Sequence, residues 1–296
     1  MASFPYVDLF ARRMVSCLGA SRIALSDLQR MGILMRKYLL ASASIVSCAL
    51  FASSALAEVS GVAGTLDGNY GNVAGVPTWS VNGAANVPVG WEGLSIEGDL
   101  GQLGAGKPGF YGHLSNGGGN IVWSDPSTQF RIAGSVNYNQ FKAEGGTLDE
   151  WQFGGGGQWF FNPWLTFSAD GGGVGGKVSG GYGDGDIKGY WFPDLAFDGF
   201  VHYLSGGISG ASGHITDLGV HVEWLPEEEV PLSFGARYDH LEASVGANGF
   251  GSVSGNTDAW FVTLKFYVND SPASSLVDRQ RTGTLDDIKP SLLFVP

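Results

Sequence analysis

The sequence AWFVTLKFYV, residues 259–268, alternates between large apolar and more polar side chains. Successive side chains of a β-strand point to opposite faces, and a strand with lipid on one side and water on the other needs this period of two. The apolar face would carry Trp260, Val262, Leu264, Phe266 and Val268, and the other face Thr263, Lys265 and Tyr267. The stretch therefore predicts a strand that spans a membrane.

The same alternation recurs along residues 94–100, 129–139, 214–224 and 232–239. Tight turns rich in Pro and Asp, which favour such turns, are predicted at residues 90–93, 124–127, 162–163, 193–194 and 226–230. Looser Gly-rich links, which we expect to be longer loops, are predicted near residues 71–77, 102–109, 143–148, 179–185, 206–213 and 246–257. We therefore predict an all-β fold, a transmembrane antiparallel up-and-down β-barrel of about twelve strands. About ten strands is the alternative, if the Gly-rich first strand or the stretch 110–123 does not form.

Tryptophan placement is a second, independent argument. The indole ring is apolar but carries an N–H group, so it favours the interface between membrane and water. None of the nine Trp residues falls in the middle of a predicted strand, which indicates interfacial girdles rather than the core of a soluble sandwich. The predicted girdle residues are Trp79, Trp91, Trp123, Trp151, Trp159, Trp164, Trp191, Trp224 and Trp260.

A secretory signal peptide is predicted over residues 35–57. Met35-Arg36-Lys37 is a basic start, residues 38–53 are an apolar middle, and Ala55-Leu56-Ala57 is a small-residue site with cleavage after Ala57. This order of basic, apolar and small residues is the signature of an exported protein. The barrel would then occupy residues 58–268, with an even strand count that places both ends in the periplasm.

The two ends of the chain leave alternatives open. Residues 1–34 are an upstream extension, explained either by a start codon at Met31 or Met35 or by an unusually long leader. The sequence from Ile45 to Cys48 also fits a lipoprotein signal, although cleavage there would leave an apolar stretch at the new N-terminus. Residues 269–296 are polar and are predicted to be a flexible periplasmic tail.

Composition excludes several classes of function. Cys17 and Cys48 both precede the predicted cleavage site, so the exported chain would have no disulfide, zinc–thiolate site or cysteine nucleophile. The formal net charge is −12, and removal of the basic leader makes the remainder more acidic. An acidic body argues against nucleic acid as a partner. No metal or organic cofactor is indicated.

On these residues the chain resembles the bacterial outer-membrane β-barrel, or porin-like, proteins. The resemblance covers residues 58–268 and rests on the signal peptide, the alternating strands, the short turns and the final strand. It implies a Gram-negative source, a place in the lipid of the cell outer membrane, and periplasmic chaperones and the barrel assembly machinery as partners. The family usually ends on an aromatic residue of the last strand; here Phe266 is the comparable residue, and the chain continues to Pro296.

The polar faces of the strands would line the barrel interior, and a barrel of this size can be open or plugged. The predicted lining residues are Glu97, Asp99, Arg131, Asp170, Asp198, Asp217, His221, Glu223, Arg237 and Lys265. Their excess of acid predicts a porin-like channel for passive diffusion of small solutes with a mild cation preference. A structural or adhesive barrel without an open pore is the alternative, although the predicted loops are short for adhesion.

A hydrolase at the barrel rim is a further alternative, because some membrane barrels are hydrolases. Such chemistry needs a nucleophile and a base within reach of each other. Candidate groups on the loop side are His214, His240, Ser209, Ser212, Asp239 and Ser244. Neither a GxSxG nor an HExxH motif occurs, and Asp184 and Asp186, which could suggest calcium, are interpreted as solvated loop residues. We therefore predict no enzymatic activity.

Overall fold

The computed structural model describes residues 62–107, 110–125, 127, 129–143, 146–208, 210–247, 251–268 and 274–285. The predicted upstream extension, the signal peptide and the Ala57 cleavage site lie outside the described residues, as does Ser209. Within the described ranges, no helix is long and apolar enough to cross a membrane.

Strands follow one another along the chain, and each is antiparallel to the next. They are β1 (Ala63–Val73), β2 (Val76–Pro88), β3 (Leu94–Lys107), β4 (Phe110–Ser124), β5 (Phe130–Ala143), β6 (Gly146–Asn162), β7 (Leu165–Gly176), β8 (Ser179–Phe192), β9 (Leu195–Ile208), β10 (Ala211–Trp224), β11 (Leu232–Ala247) and β12 (Gly251–Val268). The prediction of twelve strands is confirmed.

The sheet closes on itself because β1 also pairs with β12, from Gly64 opposite Val268 to Val73 opposite Ala259. Closure leaves no sheet edge with unpaired N–H and C=O groups, which a lipid environment would not tolerate. The first strand alternates poorly in sequence, yet it is held by ladders on both sides. The predicted fold class is therefore confirmed, and the alternative of ten strands is not needed.

The two ends of the barrel differ from each other. At one end, which we call the tight-turn end, turns occur at all the predicted places, such as residues 163–164 between β6 and β7. At the other end, the hairpin end, the predicted loose links shrink to two residues where the structure describes them, at 74–75 and 177–178. Residues 179–185, predicted as a link, belong to β8. The prediction of longer loops at this end was wrong.

The outward face of each strand explains this difference. On β12 the outward apolar side chains end at Trp260, and Asp258 and Asn256 continue the same face. The ladder nevertheless continues beyond this point, with Ser244 opposite Ser254. The strands therefore project past the apolar part of the wall, where neither face meets lipid and alternation is not required. The sequence of these projecting ends resembles a loop, but their backbone is paired.

A continuous apolar belt covers the outer wall between the two ends. Large side chains in it stay exposed, including Leu100 at 72%, Ile121 at 63% and Val220 at 56%. Aromatic residues lie at both borders: Trp159 and Phe161 are 5.2 Å apart at the tight-turn border, and Tyr138 and Trp151 are 5.0 Å apart at the other. The predicted Trp residues lie on outward positions or in turns, as girdles require, and their depth in a bilayer stays a prediction.

Residues 274–285, which we call the strap, lie inside the tight-turn end of the barrel. They contain the helix α1 (Leu276–Thr282), whose N-cap Ser275 accepts a hydrogen bond from the Asp278 amide. The sequence predicted a flexible tail over residues 269–296. The strap differs from that prediction because its two leucines, Leu276 and Leu285, are 0% exposed against the barrel wall. The rest of the tail lies outside the described residues.

Candidate functional site

The barrel interior is the candidate site, and the ladders place every predicted lining residue on its face. In each strand these residues alternate with the apolar belt, and their cross-strand partners share the same face. For example, Glu97 lies opposite Asn120, and Asp198 lies opposite both Lys188 and His221. Residues placed inward are Glu97, Asp99, Arg131, Asp170, Asp198, Asp217, His221, Glu223, Arg237 and Lys265. That they line an open pore stays a prediction.

Arg237 on β11 is the centre of a buried ionic network. Its Nη2 donates to Asp217 at 3.0 Å and its Nε to Asp239 at 2.6 Å. The guanidinium also lies 4.2 Å from the centre of the Phe200 ring. Because both carboxylates are almost fully buried, each needs this cation, and loss of it would leave two unpaired buried charges. The network therefore fixes three neighbouring strands at mid-barrel.

A second set of charged contacts involves β8, β9 and β10. Asp198 is shared by Lys188, at 3.6 Å, and by His221, at 3.3 Å. Nearer the hairpin end, Asp184 lies 2.8 Å from Nδ1 of His202. Sequence reasoning missed Asp184 as an interior residue because it interpreted the surrounding glycines as a loop. The alternation Tyr182, Asp184, Asp186, Lys188 along β8 was the signal that could have revealed it.

Carboxylates on β3 and β6 have side-chain amides as partners. Asn120 donates to Glu97 at 3.5 Å and to Asp99 at 3.4 Å. Gln152 donates to Glu150 at 2.8 Å. Glu150 is a further interior acid that the sequence did not reveal, because it follows directly on a predicted link. This side of the interior is thus acidic and amide-rich, although it includes Arg131 of β5, and the side formed by β8 to β11 also carries cations.

Polar oxygens on the inner faces of β5, β6 and β7 have no hydrogen-bond donor among the described residues. They include Asn137 Oδ1 on β5, Gln152 Oε1 on β6, and Thr166 Oγ1 and Ser168 Oγ on β7. Buried polar groups in proteins are satisfied either by protein or by ordered water. Because protein donors are missing here, this side of the interior is polar without being fully satisfied by contacts among the described residues.

Other parts of the interior are packed closely. Large side chains fold over inward glycines of neighbouring strands: a Cβ on Gly154 would lie 2.1 Å from the Tyr182 hydroxyl, and one on Gly219 would lie 2.2 Å from the Phe200 ring. Glycine therefore makes room at these positions for bulky neighbours. The resulting lumen is narrow at these levels.

The strap crosses the tight-turn mouth and is anchored on opposite sides of it. Leu276 packs against Tyr190, Ala196, Leu225 and Tyr267, on or next to β8, β9, β10 and β12. Leu285 packs against Val122 of β4 and Ala133 of β5. Since β4 and β5 lie across the ring from β9 and β10, the strap spans the mouth rather than lying along one wall.

Polar contacts hold the strap between its two anchors. Gln280 donates to Glu223 at 2.9 Å and accepts from the Tyr190 hydroxyl at 2.6 Å. The Leu285 amide donates to Glu97 at 2.8 Å. Two predicted lining residues, Glu97 and Glu223, therefore bind the strap, and a third does the same.

The third is Arg131, whose Nη1 donates to the Gly283 carbonyl at 3.3 Å. Next to it, Thr65 and Thr284 bring their hydroxyl oxygens to 3.1 Å. On the helix, burial lowers the pKa of the Arg279 guanidinium from its ordinary value, but an arginine stays charged at neutral pH. Sequence reasoning missed the strap because its partners come from many different strands.

Comparisons with known proteins give similar shapes only at low similarity. No family model and no curated protein matches the chain. The NanC porin structure has a TM-score of 0.47 and 12% identity, and the match covers 68% of this chain and 98% of that one. An outer membrane channel from Pseudomonas putida F1 has a TM-score of 0.47 and 7% identity, and the match covers 69% of this chain and 95% of that one. The outer membrane channel DcaP of Acinetobacter baumannii has a TM-score of 0.42 and 9% identity, and the match covers 70% of this chain and 96% of that one.

At these values the fold assignment rests on the chain's own geometry: a closed antiparallel ring of even strand number with an apolar outer belt and a polar interior. The chain has the fold of a porin-like outer-membrane β-barrel.

The histidines considered for a rim hydrolase lie in strands, not in loops. His240 on β11 lies 2.8 Å from Asp258 on the exposed outer face, and His214 on β10 stacks on Tyr203. Within the part of the chain that the structure describes, neither is hydrogen-bonded to a serine. Asp184 and Asp186 lie in β8, and the described residues contain no cluster of three or more His, Cys, Asp or Glu arranged to hold a metal ion.

Proposed function

We propose that the protein is an outer-membrane channel through which small polar solutes diffuse passively, with a mild preference for cations. One observation carries the proposal. Inside a closed wall with an apolar outer belt, the inner faces of the strands carry polar side chains such as Ser135, Ser168 and Asp170. A polar interior within an apolar outer surface is what a diffusion channel needs.

The proposed cation preference follows from the interior charges. Carboxylates outnumber Lys and Arg on the inward faces, and Glu150 is contacted by amides rather than by a basic side chain. Acidic side chains around a lumen lower the energy of a cation in it and raise that of an anion. The preference is mild because Arg237, Lys188 and Lys265 compensate part of this charge.

The strap gives the proposed channel a closed state. It crosses the tight-turn mouth, and the short links at the hairpin end, such as residues 74–75, are too short to fold into the lumen. Conduction would therefore require the strap to leave its site. The residues that tether it, 269–273, follow directly on β12, so a released strap would stay near the mouth and close it again.

Single-channel recording in a planar bilayer with a salt gradient tests the proposal. We expect brief ohmic openings whose reversal potential favours cations. The Asp170→Asn/Glu150→Gln variant should shift this potential towards zero, whereas Asp258→Asn, which removes a charge from the outer face, should shift it much less. A reversal potential that clearly favours anions would contradict the proposed selectivity.

A reversible lock tests the closed state. Thr65→Cys/Thr284→Cys places two thiols where hydroxyl oxygens lie 3.1 Å apart, and the exported chain would have no other cysteine. The oxidised lock should be silent, and reduction should restore openings. Openings that persist in the oxidised protein would show that the strap does not close the channel.

A second candidate function is a closed structural barrel, and the packed interior favours it. Gln152, Glu97 and Asp217 are each 0% exposed, which leaves little open lumen around them. Under this hypothesis, folded and inserted protein stays silent even after deletion of residues 269–296. Openings in that deletion variant would exclude it.

The proposal includes location in the cell outer membrane, with assembly by periplasmic chaperones and the barrel assembly machinery. The apolar belt and its aromatic borders support a membrane location. Cell fractionation should recover the chain with the outer membrane, and depletion of the assembly machinery should lower its level there. Recovery of the chain with soluble periplasmic proteins would contradict this location.

A further inference from the structure

A serine and a histidine lie in direct contact on the outer face of β4. Ser115 Oγ and His113 Nε2 are 3.1 Å apart, within the distance at which a base can take the proton of a nucleophile. The two residues are two positions apart on β4. Leu114 between them is buried on the inner face, so both side chains lie on the outward face. In the tautomer that carries its proton on Nδ1, Nε2 accepts the hydrogen bond of the Ser115 hydroxyl and His113 can act as a base.

The depth of this pair matches the position of lipid esters. Ser115 lies opposite Gln102 of β3 and Gln140 of β5. The next outward residues towards the tight-turn end are Leu100 on β3 and Tyr138 on β5. The apolar belt ends at these two residues. Two residues of a strand span about 7 Å. Ser115 therefore lies just beyond the edge of the belt, in the zone of a bilayer between hydrocarbon and headgroups.

The surroundings of the pair suit an anionic lipid. A groove of about 400 Å³ on the outer wall is lined by Tyr111, His113, Lys142 and Ala143. The exposed ammonium of Lys142 can attract a phosphate group. The Gln102 amide flanks Ser115 at cross-strand distance, where side-chain N–H groups can stabilise a developing oxyanion. The Gln140 amide on the other side donates to Asp149 at 3.0 Å and to the Tyr138 hydroxyl at 3.5 Å.

We propose that Ser115 and His113 form a catalytic pair that hydrolyses an acyl ester of an anionic membrane lipid. Ser115 Oγ attacks the ester carbonyl carbon while His113 Nε2 takes its proton. The carbon–oxygen bond to the alcohol breaks, and the alcohol leaves with that proton. Water then attacks the acyl-serine, His113 takes a proton from the water and returns it to Ser115, and the fatty acid leaves. The net reaction is ester plus water to alcohol plus acid.

His113 Nδ1 is buried and has no hydrogen-bond acceptor among the described residues. The arrangement is therefore a pair and not a triad, because no third group orients the imidazole. We expect slow turnover, with most of the rate dependent on both side chains. The activity goes beyond the proposed channel and requires only that the barrel sits in a lipid phase, so it stands whether or not the lumen conducts.

The chain provides its own matched control. Ser212 and His214 on β10 are also two positions apart on the outward face near the hairpin end. Within the described part of the chain, no hydrogen bond joins them. The two pairs thus share residue types, spacing and face, and differ in whether the nucleophile contacts the base.

The experiment uses the purified protein in detergent micelles mixed with either phosphatidylglycerol or lipopolysaccharide, and released fatty acid is measured by mass spectrometry. A fluorophosphonate probe reports the reactivity of the serine independently of the lipid. We expect release in one or both arms and labelling of the native protein. Ser115→Ala should abolish both signals, and His113→Gln should slow them about 100-fold or more. The Ser212→Ala/His214→Gln variant should release as much fatty acid and take as much label as the native protein.

The two lipid arms distinguish a phospholipid ester from an acyl ester of lipopolysaccharide. Heat-modifiable migration on gels confirms that each variant is folded. The proposal is overturned if folded native protein releases no acid and takes no label, or if Ser115→Ala retains both signals. Absence of conductance in the bilayer recordings together with Ser115-dependent hydrolysis would contradict the proposed channel and support the proposed hydrolase.

Discussion

Replacement of both strap anchors, Leu276→Ala/Leu285→Ala, should release the strap from the barrel mouth. Each leucine is 0% exposed, and truncation of a buried leucine to alanine costs about 2–5 kcal/mol. The two sites lie on opposite sides of the mouth, so their effects should add to about 4–10 kcal/mol. Because 1.4 kcal/mol is a factor of ten, even the lower value shifts the docking equilibrium roughly 1,000-fold.

Hydrogen exchange of backbone amides measures this equilibrium directly. In the native protein the Leu285 amide donates to Glu97 and the Val277 amide to the Pro193 carbonyl, so both should exchange slowly. In the double variant both should lose protection by about 1,000-fold, while amides in the barrel ladders stay protected. Thr282→Ala is the control, because Thr282 is exposed and its hydroxyl bonds only within α1. Equal protection in the double variant and the native protein would refute the anchoring role of the leucines.

Three further changes test the wall and its interior, each measured by urea unfolding in lipid vesicles. Arg237→Ala leaves Asp217 and Asp239 without their cation and should cost about 3–5 kcal/mol; a loss under about 1 kcal/mol would contradict the buried network. Gly154→Ala puts a Cβ 2.1 Å from the Tyr182 hydroxyl and 2.4 Å from the Gly171 carbonyl oxygen, and should cost about 1–3 kcal/mol. Gly134→Ala, with no atom within 4 Å, should be nearly neutral, and equal costs at the two glycines would argue against close interior packing. Val220→Arg in the middle of the belt should cost about 2–4 kcal/mol, whereas Ser212→Arg on the projecting end of the same strand should not destabilise the protein. A larger cost for Ser212→Arg than for Val220→Arg would contradict the position assigned to the belt.

The sequence by itself determined the approximate strand count, the face of the clearly alternating strands and the tight turns. A bilayer requires an apolar side chain at every second position of a spanning strand, so the constraint is local and visible in stretches such as 259–268. The predicted lining residues follow from the same rule, because the face opposite the lipid is the interior face. The tight turns were equally readable, since Pro and Asp shape them locally.

Only the tertiary structure decided how far the strands extend and what fills the lumen. Beyond the apolar belt neither face meets lipid, so the Gly- and Ser-rich stretches at residues 244–247 and 251–255 lose their alternation although their ladder continues. The depth of Ser115 and His113 beside Gln102 and Gln140 depends on the register of three strands. The strap depends on still more: Leu276 and Leu285 are two leucines in a polar tail, and their binding sites exist only after strands from opposite sides of the ring have closed around them.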